Sequence, residues 1–200
     1  MPAARESLLD AAYTALARRS WSAVRMVDVA AAAGVSRQTL YNEFGSKEGL
    51  ARALVRREAD SYLAGVERAL NTQSDARDRL TATAEWTTTV ARDNALVRAM
   101  LTGCWSERLP SPTLSPVPSS SAVPAQRRAD GPLPSPGDFV TIVRDRAVAA
   151  LSAPGANNSG ELARSCELVV RIALSCVSAP PGEGGVADLV RGALHRQLQA

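Results

Sequence analysis

A chain of 200 residues has room for one domain, or for two small ones sharing a core. It is rich in Ala, Leu, Val and Arg and only 4% aromatic, a balance that favours helix over sheet. Its net charge of +3 permits an acidic partner without requiring one, because phosphate contact needs a local basic patch rather than a global excess.

Lys47 is the single lysine among many arginines, and with so much alanine this points to a GC-rich genome rather than to a special chemistry. Cys104, Cys166 and Cys176 are widely separated and form no Cys-x-x-Cys pair, and His195 is the one histidine. An ordinary zinc site or a His-based catalytic cluster therefore cannot be built within one chain, and no metal or cofactor is expected. The thiols read as reduced core residues of a cytosolic protein, with a redox-sensing thiol as the alternative. There is no Gly-rich phosphate loop and no Gly-x-Ser-x-Gly, so an enzyme is not expected. Residues 1–20 are amphipathic and carry Arg and Asp, unlike a signal peptide, and no run is long enough to span a membrane. A cytoplasmic protein without a membrane partner is the expectation.

In chain order, residues 4–19 predict an amphipathic helix with Leu8, Leu9, Ala12 and Leu16 on one face and Tyr13 at its edge. Its start is a candidate neighbour of phosphate, with Arg5 as a contact. Trp21 and Val24 fill the joint that follows. Residues 26–47 then read as a helix, a tight turn and a short second helix. Met26, Val29, Ala30 and Ala33 have the i, i+3, i+4, i+7 spacing of a buried stripe. Gly34 suits the reversal because glycine takes positive φ without steric cost. Ser36 is a good N-cap for a helix over 37–42, with Leu40 and Phe44 pointing inward. Arg37, Gln38, Thr39, Tyr41 and Asn42 are left on the outer face.

That outer face has the chemistry of a DNA groove. Arg pairs bidentately with guanine, and Gln or Asn with adenine. Thr meets a thymine methyl or a phosphate, Tyr donates its hydroxyl to a phosphate, and the helix N-terminus beginning at Ser36 favours an anion. The unit is a helix-turn-helix with 37–42 as its recognition helix. A surface helical hairpin with an ordinary polar face is the alternative that geometry alone leaves open.

The string Ala-Gly-Val-Ser-Arg-Gln-Thr-Leu-Tyr-Asn-Glu-Phe-Gly-Ser-Lys-Glu-Gly-Leu, residues 33–50, resembles the N-terminal signature of the TetR family of bacterial transcriptional regulators. The usual form is Ala-Gly-Val-Ser-x-x-Thr-Leu-Tyr-x-His-Phe-x-Ser-Lys-Glu-x-Leu. Glu43 departs from it where His is most common, and a carboxylate repels phosphate, so no DNA contact is carried onto it. Val24 and Arg25 stand where the family often has a Thr cap, and Arg25 is a candidate contact to the DNA backbone. The resemblance implies a phosphate contact for Lys47 and a structural role for Trp21. It also implies that a helix over 47–70, capped by Ser46, connects the DNA-binding unit to a C-terminal domain and acts as the lever of regulation.

Residues 71–75 are a polar break. Helices are predicted over 76–91, with Leu80, Ala84, Thr87 and Trp86, and from Asp93 to about Cys104. Residues 94–103 resemble a recurrent segment of the ligand-binding core in one branch of the family. Residues 106–137 hold eight of the chain's 12 prolines and predict a flexible insert, read either as a lid over a pocket or as a tolerated surface insertion. Helical spacing returns at Asp138 with Phe139, Ile142, Val143, Ala147 and Leu151. Residues 160–178 are apolar almost all round, which requires burial on two sides. A last helix over about 186–198 carries Leu189, Val190, Ala193 and Leu194. The last two helices resemble the family's dimerisation pair, with Val169, Val170, Ile172, Leu189, Val190 and Leu194 as candidate interface residues.

The expected fold is thus all-α: an N-terminal three-helix helix-turn-helix DNA-binding domain (1–46), a connecting helix (47–70), and a C-terminal helical ligand-binding and dimerisation domain (71–200). The expected partners are double-stranded DNA bearing a palindromic operator, a second copy of the chain, and an unknown small-molecule effector. Two recognition helices about 34–36 Å apart would read adjacent turns of the duplex. By resemblance a ligand enters the C-terminal domain and releases the DNA. Trp86, Met100, Cys104, Trp105, Phe139 and Val143 are candidate pocket walls, and their lack of charge points to a mostly apolar ligand. A regulator without an effector, its C-terminal domain serving dimerisation or a protein partner, is the alternative.

Overall fold

The computed structural model describes residues 2–73, 75–110, 133–152 and 159–197. Among these there are nine α-helices and no strand. They are α1 (Pro2–Arg18), α2 (Met26–Ala32), α3 (Arg37–Phe44), α4 (Lys47–Thr72), α5 (Ala76–Asp93), α6 (Ala95–Thr102), α7 (Pro136–Leu151), α8 (Ser159–Ser178) and α9 (Gly185–Gln197), with a single 3-10 turn at Trp21–Ala23. The helices form two compact units, and the division falls inside α4, between Glu58 and Ala59.

The first unit holds α1 to α3 and the start of α4. Leu8, Leu9, Ala12, Val24, Val29, Ala30, Leu40, Leu50 and Leu54 form its core. Ala33 is half-buried and closes α2 rather than extending its buried stripe. Arg57 on α4 reaches the α1 carboxylate of Asp10 at 2.6 Å and also pairs with Glu58 at 3.1 Å. The described residues from 105 to 110 belong to this unit, and the Trp21 N–H donates to the Arg108 carbonyl at 2.8 Å. The front of the expected insert is therefore bonded to the helix-turn-helix. Residues 111–132, on which the choice between lid and surface insertion turns, lie outside the described residues.

In the second unit α5 packs against α6, α8 and α9, and α7 packs against α8. Asp75 caps α5 through the N–H groups of Arg77 and Asp78, and Asn94 caps α6 through those of Leu96 and Val97. The sequence reading started α7 at Asp138. The helix instead begins at Pro136, because Ser135 and Asp138 form a reciprocal capping box and a proline at the first helical position sacrifices no hydrogen bond. The Ser135 N–H and hydroxyl both donate to Asp138 and hold its carboxyl below the usual carboxylate range. Tyr62 and Phe139 meet edge to face at 5.8 Å in the core, and the Tyr62 hydroxyl lies 3.2 Å from that of Thr87. Among the described residues no helix is long and apolar enough to cross a membrane, and no cluster of His, Cys, Asp and Glu could hold a metal.

Candidate nucleic-acid interface

The turn between α2 and α3 closes by local bonds. The Val35 N–H donates to the Ala30 carbonyl at 3.0 Å, and Gly34 takes φ 68°, where a side chain would be strained. The Ser36 hydroxyl accepts from the Thr39 N–H at 3.0 Å, and the hydroxyls of Ser36 and Thr39 lie 2.8 Å apart. Leu40 and Phe44 then face the core. The helix continues two residues past the expected end at Asn42 and stops at Gly45, with φ 71°. Ser46 accepts from the Gly49 N–H and so starts α4 one residue beyond that stop.

Arg37, Gln38 and Asn42 are exposed on the outer face of α3, and Thr39 and Tyr41 are half-buried beside them. The side chains are already ordered against one another. The Arg37 guanidinium lies 5.3 Å from the Tyr41 ring centroid, and the Gln38 amide donates to Asn42 at 2.8 Å. Lys47 donates to the Ser22 carbonyl at 3.1 Å and sits 5.6 Å from the Trp21 ring centroid, which fixes the ammonium at the foot of α4.

The two departures from the family pattern have partners. Glu43 pairs with Arg5 of α1 at 3.7 Å, and the Arg5 guanidinium lies 4.8 Å from the Phe44 ring centroid. Arg25 is bonded twice to Asp28, at 3.0 Å each, and Arg19 joins at 3.4 Å. That bonding holds the Asp28 carboxyl below the usual range. The Arg25–Asp28 pair was legible as an i, i+3 spacing at a helix start, whereas nothing local signals the meeting of Arg5 and Glu43, 38 positions apart.

A profile described as bacterial regulatory proteins, tetR family, matches residues 8–54. The HTH-type transcriptional regulator AlkX of Mycobacterium tuberculosis is 35% identical over 192 residues, which cover 94% of this chain and 82% of that protein. The chain belongs to the TetR family. It is a DNA-binding transcriptional regulator, in a family whose members bind DNA and form dimers. The HTH-type transcriptional activator FasR of Mycolicibacterium smegmatis is 41% identical over 81 residues, 40% of this chain and 37% of its own. The crystal structure of the TetR family repressor AlkX from Dietzia sp. strain DQ12-45-1b shares the fold, with TM-score 0.55, 22% identity, and coverage of 98% of this chain and 96% of that one.

Of the expected pocket residues of this TetR-family chain, Trp86, Met100, Cys104, Phe139 and Val143 belong to the second unit. Met100, Phe139 and Val143 are in the closed core of the second unit, each 4% exposed or less. Trp86 lies against α4, where its indole N–H donates to the Tyr62 carbonyl at 3.1 Å. Cys104 is exposed beyond the end of α6, so it is not the core thiol expected, while Cys166 and Cys176 are buried. Burial pushes the Cys166 thiol up to about 11. Trp105 belongs to the first unit. One cavity of the second unit, of about 620 Å³, opens elsewhere, between α5, Arg98 of α6 and the turn from α8 to α9, with Arg92, Cys176 and Pro181 in its wall.

The expected interface residues divide in the same way. Val169, Val170, Val190 and Leu194 are buried within their own protomer. The stripe Cys166, Val169, Val170, Ala173 and Cys176 is the face of α8 that its own core takes up. Ile172 is half-buried and Leu189 is 48% exposed, so these two remain open.

Proposed function

We propose that the chain is a dimeric repressor that reads an imperfect palindromic operator with α3 and leaves it when a small, mostly apolar ligand binds the second unit. The observation that carries this reading is the outer face of α3, where Arg37, Gln38, Tyr41 and Asn42 stand ordered on a capped helix over a closed core. Arg37, Gln38 and Asn42 read base edges. Ser36, Thr39, Tyr41 and Lys47 meet phosphate and fix the register. The open residues of α8 and α9, Ile172 and Leu189, meet their counterparts across a two-fold axis, and the protein works in the cytoplasm, where the DNA is. A repressor that answers an apolar ligand is in keeping with the Dietzia AlkX, a TetR family repressor implicated in biodegradation of n-alkanes.

The closed packing of Met100, Phe139 and Val143 favours a second reading, a regulator whose second unit serves only dimerisation or a protein partner. The similarity to FasR, an activator by name, adds the question of sign.

The test is titration against a fluorescent duplex from the DNA upstream of the chain's own gene, at two salt concentrations and with scrambled competitor. Competitor-resistant binding that Arg37→Ala and Tyr41→Ala both weaken supports the reading. Equal affinity for scrambled DNA with a steep salt slope means phosphate attraction alone and counts against it. A true effector must shift the melting temperature and the DNA affinity together, and n-alkanes are the first class to screen.

A further inference from the structure

Glu43 puts a carboxylate beside the surface that meets a polyanion. On an α-helix, residue 43 lies four positions beyond Thr39 and therefore shares its edge of α3. A negative charge there repels the DNA backbone. The structure places a cation against it from a distant element: Arg5, in the first turns of α1, lies 3.7 Å from the Glu43 carboxylate. The guanidinium is held by the Phe44 ring beneath it, 4.8 Å from the centroid. Both side chains are only partly exposed, 33% and 26%, so water screens their interaction less than it would a surface pair.

We infer that Arg5 is a positioning residue for DNA binding that acts through Glu43. It offsets the carboxylate's charge and holds it at the edge of α3, so that phosphates approach Thr39 and Tyr41 with less like-charge repulsion. Its work is neutralisation, not a phosphate contact of its own. The inference rests on α3 being the helix that enters the groove.

The two roles predict different double-mutant behaviour. If Arg5 acts through Glu43, Arg5→Ala removes a compensating cation from the carboxylate and weakens binding by about tenfold, the scale of one close charge pair at an interface rim. In a Glu43→Gln background the same substitution has no carboxylate to compensate and changes affinity by at most about twofold. If Arg5 contacts phosphate directly, its loss costs the same in both backgrounds and lowers the salt slope in both by about one counterion.

The experiment measures affinity and salt slope for the wild type, Arg5→Ala, Glu43→Gln and the double variant of the full chain. The probe is the duplex that the wild type selects from a random-sequence pool. Arg5→Lys, which keeps the charge, is expected to recover most of the loss. Thermal melts are run on each variant to confirm that it is folded at the assay temperature. Rescue of Arg5→Ala by Glu43→Gln supports the inference. Additive losses overturn it. Loss of affinity in Arg5→Ala that Glu43→Gln leaves in place, together with a lowered melting temperature, makes Arg5 a packing residue and overturns it as well. Arg37→Ala runs in parallel: if it binds the selected duplex like the wild type, the reading of α3 fails rather than the pairing.

Discussion

At Gly65 a single added methyl group would strike a packed indole of the second unit. This glycine sits in the middle of α4, where helix propensity alone favours alanine by about 0.8–1 kcal/mol. A Cβ built there overlaps Cε2, Cζ2 and Nε1 of Trp86. To regain a contact of about 3.5–4.0 Å, the indole must withdraw by roughly 1–2 Å. Withdrawal breaks the bond from the indole N–H to the Tyr62 carbonyl, now 3.1 Å, worth about 0.5–1.5 kcal/mol. It also separates the ring from Arg68, whose guanidinium lies 5.7 Å from its centroid, worth about 0.5–1 kcal/mol at a partly exposed site. Overpacking of this kind costs about 1–3 kcal/mol in all, so after the propensity gain Gly65→Ala is expected to destabilise by up to about 2 kcal/mol. For a chain of this length that lowers the melting temperature by up to about 8 °C. The assay is thermal unfolding at fixed protomer concentration, because dimer stability depends on it. Gly137→Ala is the control: its added methyl meets only the Ser135 hydroxyl at 3.7 Å, an ordinary contact, and its melting temperature should hold or rise. Gly65→Ala combined with Trp86→Leu should be less destabilised than the sum of the single variants. A rise in melting temperature for Gly65→Ala would refute the reasoning, since propensity would then outweigh the contact.

Ser36→Ala should cost about 0.5–2 kcal/mol of stability through loss of the α3 cap, whereas Ser36→Asp should keep the stability and lose DNA affinity, because it preserves the cap and adds a negative charge facing phosphate; melting and titration of both variants separate the two roles. Thiol titration of the native protein with an aromatic disulfide should label Cys104 promptly and leave Cys166 and Cys176 until unfolding, since only Cys104 is exposed; fast labelling of Cys166 would contradict its burial. Burial raises Tyr62 from 10.0 to about 12, against the bond from Thr87, so an absorbance titration should show its ionisation only near pH 12. Because the folded pKa is the higher one, the stability tied to neutral Tyr62 is whole below pH 10 and is lost as pH rises through about 12. Tyr62→Phe should therefore flatten the alkaline decline in urea unfolding, and an unchanged slope would assign that decline to other groups.

The recognition unit was legible because its determinants are neighbours in the chain. Gly34, Ser36, and the spacing of Val29, Leu40 and Phe44 each act within one or two turns, and local signals of that kind survive without a tertiary context. The end of α3 lies two residues beyond the expected Asn42, because Gly45, which takes φ 71°, rather than Asn42 stops the helix. The start of α7 is a different failure. Ser135, Pro136 and Asp138 carry a complete local helix-start signal, which the surrounding prolines masked.

The second unit shows why a pocket and an interface are harder to read than a helix-turn-helix. Periodicity tells which residues share a face, but not which neighbour each face meets; the apolar wrap expected of α8 is in fact interrupted by an exposed polar face of Glu161, Arg164, Arg171 and Ser175. The decision belongs to α5 and α7, which cover Cys166, Val169, Val170 and Ala173 and leave Ile172 half-buried. Trp86 illustrates the same limit from the other side. By its lack of charge Trp86 is a candidate ligand wall. Its position is instead set by Gly65, 21 residues earlier, where the missing side chain gives the indole its seat on α4. A glycine inside a helix reads locally as a cost of about 1 kcal/mol. Its use appears only when the helix that packs against it is in view, and the same holds for any cavity, which is defined by the residues that fail to fill it.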